Sequence, residues 1–150
     1  MRIWVDADAC PRDAKQLVYK TANRREIETI LVANGGMRIP SSAWVRLEVV
    51  DQGLNVADDW IVEQATSGDI VITADIPLAA RIVDKGAVGI DPRGQVYHEN
   101  NVKDRLAARN LLFELREGGL MGGGPPPYKN KDRSRFASAL ETLITSLLKD

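Results

Sequence analysis

Ile3-Trp4-Val5-Asp6-Ala7-Asp8-Ala9-Cys10-Pro11 joins a short apolar run to two carboxylates and then to a proline. A continuous apolar run reads as a strand buried on both faces. Proline suits the first position of a helix, so the stretch predicts a strand, an acidic turn and a helix in succession. Similar runs recur at Ile27 to Ala33, Val45 to Val50, Ile70 to Thr73 and Ala87 to Ile90. Val45-Arg46-Leu47-Glu48-Val49 alternates in polarity, which suits an outermost strand. Helical patterns lie between them: Arg12 to Ala22 with Leu17, Val18 and Ala22 on one face, Ala57 to Thr66 with Trp60, Ile61 and Ala65, and Leu78 to Asp84.

Because strand and helix alternate, the expected fold is α/β with a mainly parallel, five-stranded sheet flanked by helices. Right-handed crossovers and short connections are satisfied by the strand order 3-2-1-4-5. That order makes the first and fourth strands neighbours at the switch point, where ligands bind beyond the carboxyl ends of strands.

After Asp91-Pro92-Arg93-Gly94, read as a turn, the pattern changes. Val102 to Glu117 reads as a long helix with Leu106, Arg109, Leu112, Phe113 and Leu115 spread around it. Gly118 to Tyr128 is Gly-rich and then Pro-rich, as in a linker or a mobile lid. A last helix is expected from near Asp132, burying Phe136, Leu140, Leu143 and Leu147. The reading is a single domain over 1–150, with a core of about 1–91 and a helical extension of about 100–150.

A chain of 150 residues, 44% of them hydrophobic, suffices for one core. The charged fraction of 27% and net charge of -1 exclude the disordered and strongly basic classes. One cysteine, Cys10, and one histidine, His98, leave no internal disulfide and no zinc set. The apolar start is too brief for a signal peptide and no run would span a bilayer, so a cytoplasmic protein is expected. Charge is uneven: residues 1–100 carry 11 Lys/Arg against 15 Asp/Glu, residues 101–150 carry 9 against 6. The basic end is either a solvated helical surface or a basic flank beside an acidic site.

Asp6 and Asp8 close the first strand, and Asp75 closes the fourth in Ile72-Thr73-Ala74-Asp75-Ile76-Pro77. Parallel neighbours lie roughly 4.8 Å apart, so the carboxylates converge and repel unless a cation or protons intervene. Asp58 and Asp59 open the helix after the third strand, where capping and the helix dipole also favour acids. Oxygen ligands without thiolate or imidazole suit Mg²⁺ or Mn²⁺, the metals of phosphate chemistry. Such an ion can activate water and stabilise a leaving oxygen. The Thr73 hydroxyl is placed to position water or phosphate. Cys10 reads as packing, since Asp8 opposes a lowered thiol pKa and Gln16 stands where a cysteine phosphatase needs arginine. His98, in a turn-rich segment, reads as a surface residue.

Asp6-Ala7-Asp8-Ala9-Cys10-Pro11, Ala57-Asp58-Asp59-Trp60-Ile61, Ile72-Thr73-Ala74-Asp75-Ile76-Pro77-Leu78-Ala79 and Gly122-Gly123-Gly124-Pro125-Pro126 with Asp132-Arg133 together resemble the YaiI/YqxD family of bacterial proteins. That family is itself similar to PIN-like nuclease domains over about residues 1–91. The PIN pattern places an aspartate after the first strand, an acidic residue before an Ile and an Ala, and Thr-x-Asp after the fourth strand. Asp6, Asp58 with Ile61 and Ala65, and Thr73 with Asp75 match it. The resemblance implies a PIN-like three-layer sandwich and metal-dependent cleavage of RNA or DNA. Asp8, Asp59, the Cys10-Pro11 pair and the C-terminal helices depart from ordinary PIN domains.

The expected catalytic set is therefore Asp6, Asp58, Asp75 and Thr73, with Asp6, Asp8, Asp58, Asp59 and Asp75 around Mg²⁺ or Mn²⁺. The expected partner is nucleic acid, RNA before DNA, reached through Arg105, Arg109, Lys129, Lys131, Arg133 and Arg135, with Tyr128 available for stacking. Exposed faces of the last two helices offer a homodimer surface. Two other readings compete. One is a binding module that keeps the scaffold without turnover. The other is a haloacid-dehalogenase-type phosphatase with Asp6 as nucleophile, Asp8 as acid and Lys85 as phosphate ligand. Its acidic pair should follow the lysine, whereas Asp58-Asp59 precedes Thr73.

Overall fold

The first strand, β1 (Ile3–Asp6), is buried along nearly its whole length because every side chain before Asp6 is apolar. A computed structural model describes residues 1–118 and 126–149. The other elements are α1 (Arg12–Arg25), β2 (Thr29–Ala33), β3 (Val45–Val49), α2 (Val56–Gln64), β4 (Ile70–Ile72), α3 (Ile76–Asp84), β5 (Val88–Ile90), β6 (Val96–Tyr97), α4 (Val102–Glu117) and α5 (Asn130–Leu148). The sheet order is β3-β2-β1-β4-β5-β6. β1 pairs in parallel with both β2 and β4, β3 forms one edge, and only β6 runs antiparallel.

The expected α/β sandwich and the order of its five main strands stand, and a sixth strand is added. β6 escapes sequence reading because two residues carry no periodicity. It forms because Asp91-Pro92-Arg93-Gly94 turns the chain back: Gly94 N–H donates to Asp91 O and Asp91 N–H to Gln95 O. Gly94 sits at φ +94, a conformation few other residues adopt.

Side chains alternate along each strand, so the sheet divides the apolar residues between two faces. Ile3, Val5, Leu31 and Ile72 pack with Val18 and Ala22 of α1 and with Phe136, Leu140 and Ile144 of α5. Trp4, Ile30 and Val71 pack with Ile61 of α2, Leu78 and Ile82 of α3 and Val102 at the start of α4. The result is three layers. In α5 the fully buried stripe is Phe136, Leu140 and Ile144, at a spacing of four; Leu143 and Leu147, expected as buried, pack only partly against it. In α4 only Val102 is buried, and Leu111, Leu112 and Phe113 are exposed.

Helix boundaries follow local chemistry. α3 begins at Ile76, earlier than the apolar pattern suggests, because Asp75 caps it and Pro77 fixes its first turn. α5 starts at Asn130, where the backbone amide of Lys129 donates to Asp132 Oδ2 at 2.9 Å. Most of the Gly/Pro stretch 118–128, read as linker or lid, lies outside the described residues. Among the described residues no helix is long and apolar enough to cross a membrane.

Candidate metal centre

Parallel register sets Trp4 beside Val71 and Val5 beside Ile72, so the next residues along, Asp6 and Thr73, meet at the carboxyl edge of the sheet. The Thr73 hydroxyl donates to Asp6 Oδ2 at 3.0 Å and accepts from the Asp75 amide at 2.9 Å. Thr73 is 1% exposed, so the hydroxyl is a fixed link between the two acidic segments. Asp75 Oδ1 accepts from the Leu78 amide at 3.0 Å, which makes Asp75 the cap of α3 and orients its carboxylate.

Asp58 reaches the same place from the first turn of α2. Burial, then the charges of Asp75 and Asp6, then a hydrogen bond shared with Asp75 push its carboxyl up to about 6, against the pull of Arg81. Burial also raises the Asp6 carboxyl; the Thr73 hydrogen bond opposes this, and the charges of Asp75 and Asp8 add to it. Asp6, Asp58 and Asp75 thus come from three separate elements, and the charge of Asp75 bears on both Asp6 and Asp58. Like charges held this close favour a proton or a cation between them.

The remaining acids are arranged differently. Asp8 lies in a single 3-10 turn, Ala7–Ala9, and accepts from the Asn34 amide at 2.8 Å. Asp59 is exposed and paired with Arg81 at 2.8 Å, one residue around the helix from Asp58. A step of one residue turns a helix by roughly 100°, which is why the two adjacent acids face different surroundings. Among the described residues no group of three or more His, Cys, Asp or Glu side chains is closed tightly enough to hold a metal ion as it stands. The all-oxygen donor set suits a hard dication, but these side chains would have to draw inward to enclose one.

Cys10 is buried, and burial first of all pushes its thiol up to about 12, with Lys15 opposing and Asp6 adding. A protonated thiol is no nucleophile, in keeping with a packing role. His98 is exposed, and its Nδ1 accepts from the Asn100 amide at 3.2 Å. Lys85 lies just past the end of α3, with Nζ on the carbonyls of Val62 and Glu63. Nine helical residues, about 13 Å, separate it from the Asp75 end, which removes the phosphate ligand of the phosphatase reading.

The expected basic flank divides. Lys129, Lys131 and Arg135 line a groove of about 1100 Å³ along α5, together with Arg93, Ala139 and Leu143. Arg93 is held by Asp132 at 3.1 Å and lies over the Tyr128 ring at 5.7 Å. Tyr128 in turn donates to Pro92 O at 2.7 Å, so its ring is engaged within the fold. Arg133 is half-buried with Nε unpartnered. Arg105 bonds Gln95, and Arg109 lies over Phe113 at 5.3 Å; neither lines the groove. Sequence reasoning missed a second basic group, Arg12, Lys15 and Arg38, which meet in a cleft of about 400 Å³. The available signal was the position of Arg12 and Lys15 in the first turn of a helix directly after Asp8.

The family model described as "Uncharacterized BCR, YaiI/YqxD family" matches residues 4–146. A UPF0178 protein of Trichlorobacter lovleyi is 51% identical over 150 residues, covering 100% of this chain and 97% of the relative. Similar proteins of the same description occur in Geobacter metallireducens, 51% identical over 100% of this chain and 97% of the relative, and in Pseudomonas putida, 48% identical over 99% of each. No solved structure matches the chain. Matched from near its first residue to near its last, the chain belongs to the YaiI/YqxD family.

Proposed function

We propose that the protein is a cytoplasmic, metal-dependent nuclease that hydrolyses phosphodiester bonds of RNA or DNA. The observation that carries this reading is the convergence of Asp6, Asp58 and Asp75 at the switch point of a PIN-like sandwich, with the Thr73 hydroxyl tying Asp6 to the Asp75 segment. These three carboxylates would hold Mg²⁺ or Mn²⁺, with Asp8 nearest in the chain as a further acid. When bound, such an ion lowers the pKa of a water and offsets charge on the phosphate. Thr73 keeps the Asp6 carboxylate in one orientation, and the α3 cap does the same for Asp75. Asp59, engaged with Arg81, lies outside the cluster. Lys129, Lys131 and Arg135 give the substrate strand a basic surface on α5. The exposed Leu111, Leu112 and Phe113 of α4 are the surface on which a homodimer would form.

The test is incubation of the chain with labelled RNA and DNA oligonucleotides in Mn²⁺, in Mg²⁺ and in EDTA. Cleavage is expected only with metal, and reduced about a hundredfold or more in Asp6→Asn and Asp75→Asn, since outer-shell changes by themselves cost a metal site roughly 10- to 100-fold. Cleavage that survives both substitutions in a folded chain would refute the proposal.

A second reading, a binding module without turnover, draws on the open spacing of the acids among the described residues. It predicts salt-sensitive nucleic-acid binding that Asp6→Asn and Asp75→Asn leave unchanged, and no cleavage in any metal.

A further inference from the structure

The cleft that holds Arg12, Lys15 and Arg38 lies between α1 and the segment after β2. One wall is the first turn of α1, and only Ala9, Cys10 and Pro11 separate Asp8 from Arg12. The other wall is the segment after β2. It starts at Asn34, whose amide donates to Asp8 at 2.8 Å, and continues to Met37, Arg38 and Ile39. Asp8 is therefore the point from which both walls diverge.

Three cations line this space. Among the described residues Arg2, Arg24, Arg25, Arg46, Arg81 and Arg93 all form ion pairs, whereas Arg12, Lys15 and Arg38 form none. They stand within residues 1–100, where 15 Asp/Glu face 11 Lys/Arg. Cations gathered in a small recess attract an anion, and a neighbouring carboxylate cluster by itself repels one. The apolar side chains of Met37 and Ile39 and the edge of Tyr19 complete the lining. At about 400 Å³ the cleft is of a size to take one nucleotide unit.

We infer that this cleft is a phosphate-binding subsite for a single nucleic-acid strand, which runs from the carboxylate edge across Asp8 to Arg12, Lys15 and Arg38. The inference rests on the nucleic-acid reading of the acidic site and names where the strand is gripped. The carboxylates then meet a phosphate already held by its neighbour, so affinity and chemistry come from different residues.

Fluorescence anisotropy with short labelled single strands of RNA and of DNA tests this, in EDTA throughout, over roughly 50 to 200 mM salt. EDTA makes the outcome independent of whether the acids take up metal, so the subsite and the nuclease reading fail separately. The wild-type chain is expected to bind with an affinity that falls as salt rises. Lys15→Gln and Arg38→Ala are each expected to weaken binding roughly fivefold and to lower the salt slope by about 0.7, the share of one phosphate on a single strand. Circular dichroism and a melting curve for each variant separate lost contacts from lost folding. Wild-type affinity and slope in both folded variants, or a wild-type chain that binds neither strand, would overturn the subsite. A DNA duplex bound as well as the single strands would also overturn it.

Discussion

Asp69 stands at the amino end of β4, opposite the acidic cluster, and shows how a single carboxylate locks the central strands. It accepts from the Arg2 amide, the Trp4 indole and the Thr66 amide, each at 3.0 Å, and from the Thr66 hydroxyl at 3.1 Å. Burial raises its carboxyl, but these hydrogen bonds outweigh burial and hold it below the usual value of 3.8. A carboxyl depressed in the folded state stabilises at pH above its unfolded value, and that contribution is lost as pH falls through the folded one. Denaturant unfolding of the wild type should therefore lose stability from about pH 5 downward. Asp69→Asn should flatten that limb and cost about 2 kcal/mol at neutral pH, where hydrogen bonds to a charged acceptor are lost. Parallel pH profiles for the two proteins would contradict this role. At the acidic cluster, Asp6, Asp58 and Asp75 were legible in the sequence because each sits where a strand or helix boundary fixes its position. Asp58 was set apart from Asp59 through its spacing to Ile61 and Ala65, but the pairing of Asp59 with Arg81, on another helix, was not readable. The cleft residue Arg38 was invisible for a related reason: nothing in a loop sequence says which helix it comes to lie beside.

Among elements, the turn before β6 and the start of α5 form one unit. A Cβ built on Gly94 would lie 2.8 Å from the backbone carbon and oxygen of Arg135, and φ of +94 disfavours any side chain there. Backbone cannot yield as a flexible side chain does, so Gly94→Ala should lower stability by about 2 kcal/mol or more through both strain and the displaced helix. The check is a denaturant melt beside a Mn²⁺ titration. A melt unchanged from wild type would show that α5 is not seated as described. The strands of the parallel sheet were readable because burial on both faces writes continuous apolar runs, as in Thr29–Ala33. β6 was not, since its pairing with Gly89 and Ile90 depends on a turn and on two residues only. Ile144 is buried in place of Leu143 and Leu147, which pack only partly against the core. An amphipathic pattern defines a stripe and leaves its centre open.

Across the whole molecule, topology does what no single segment does. Crossovers that place β1 beside β4 bring together residues 6 and 75, and α2 adds residue 58, at the edge where open α/β sheets bind ligands. The same arrangement ties Asp8 through the Asn34 amide to the segment after β2, which with α1 lines the basic cleft. The most direct test of the account is X-ray diffraction from crystals soaked in Mn²⁺, with anomalous data collected near the manganese absorption edge. The account predicts an anomalous peak bounded by the carboxylates of Asp6, Asp58 and Asp75, with those side chains drawn toward it. A map without a peak among these three residues, at a metal concentration that supports cleavage, would contradict it.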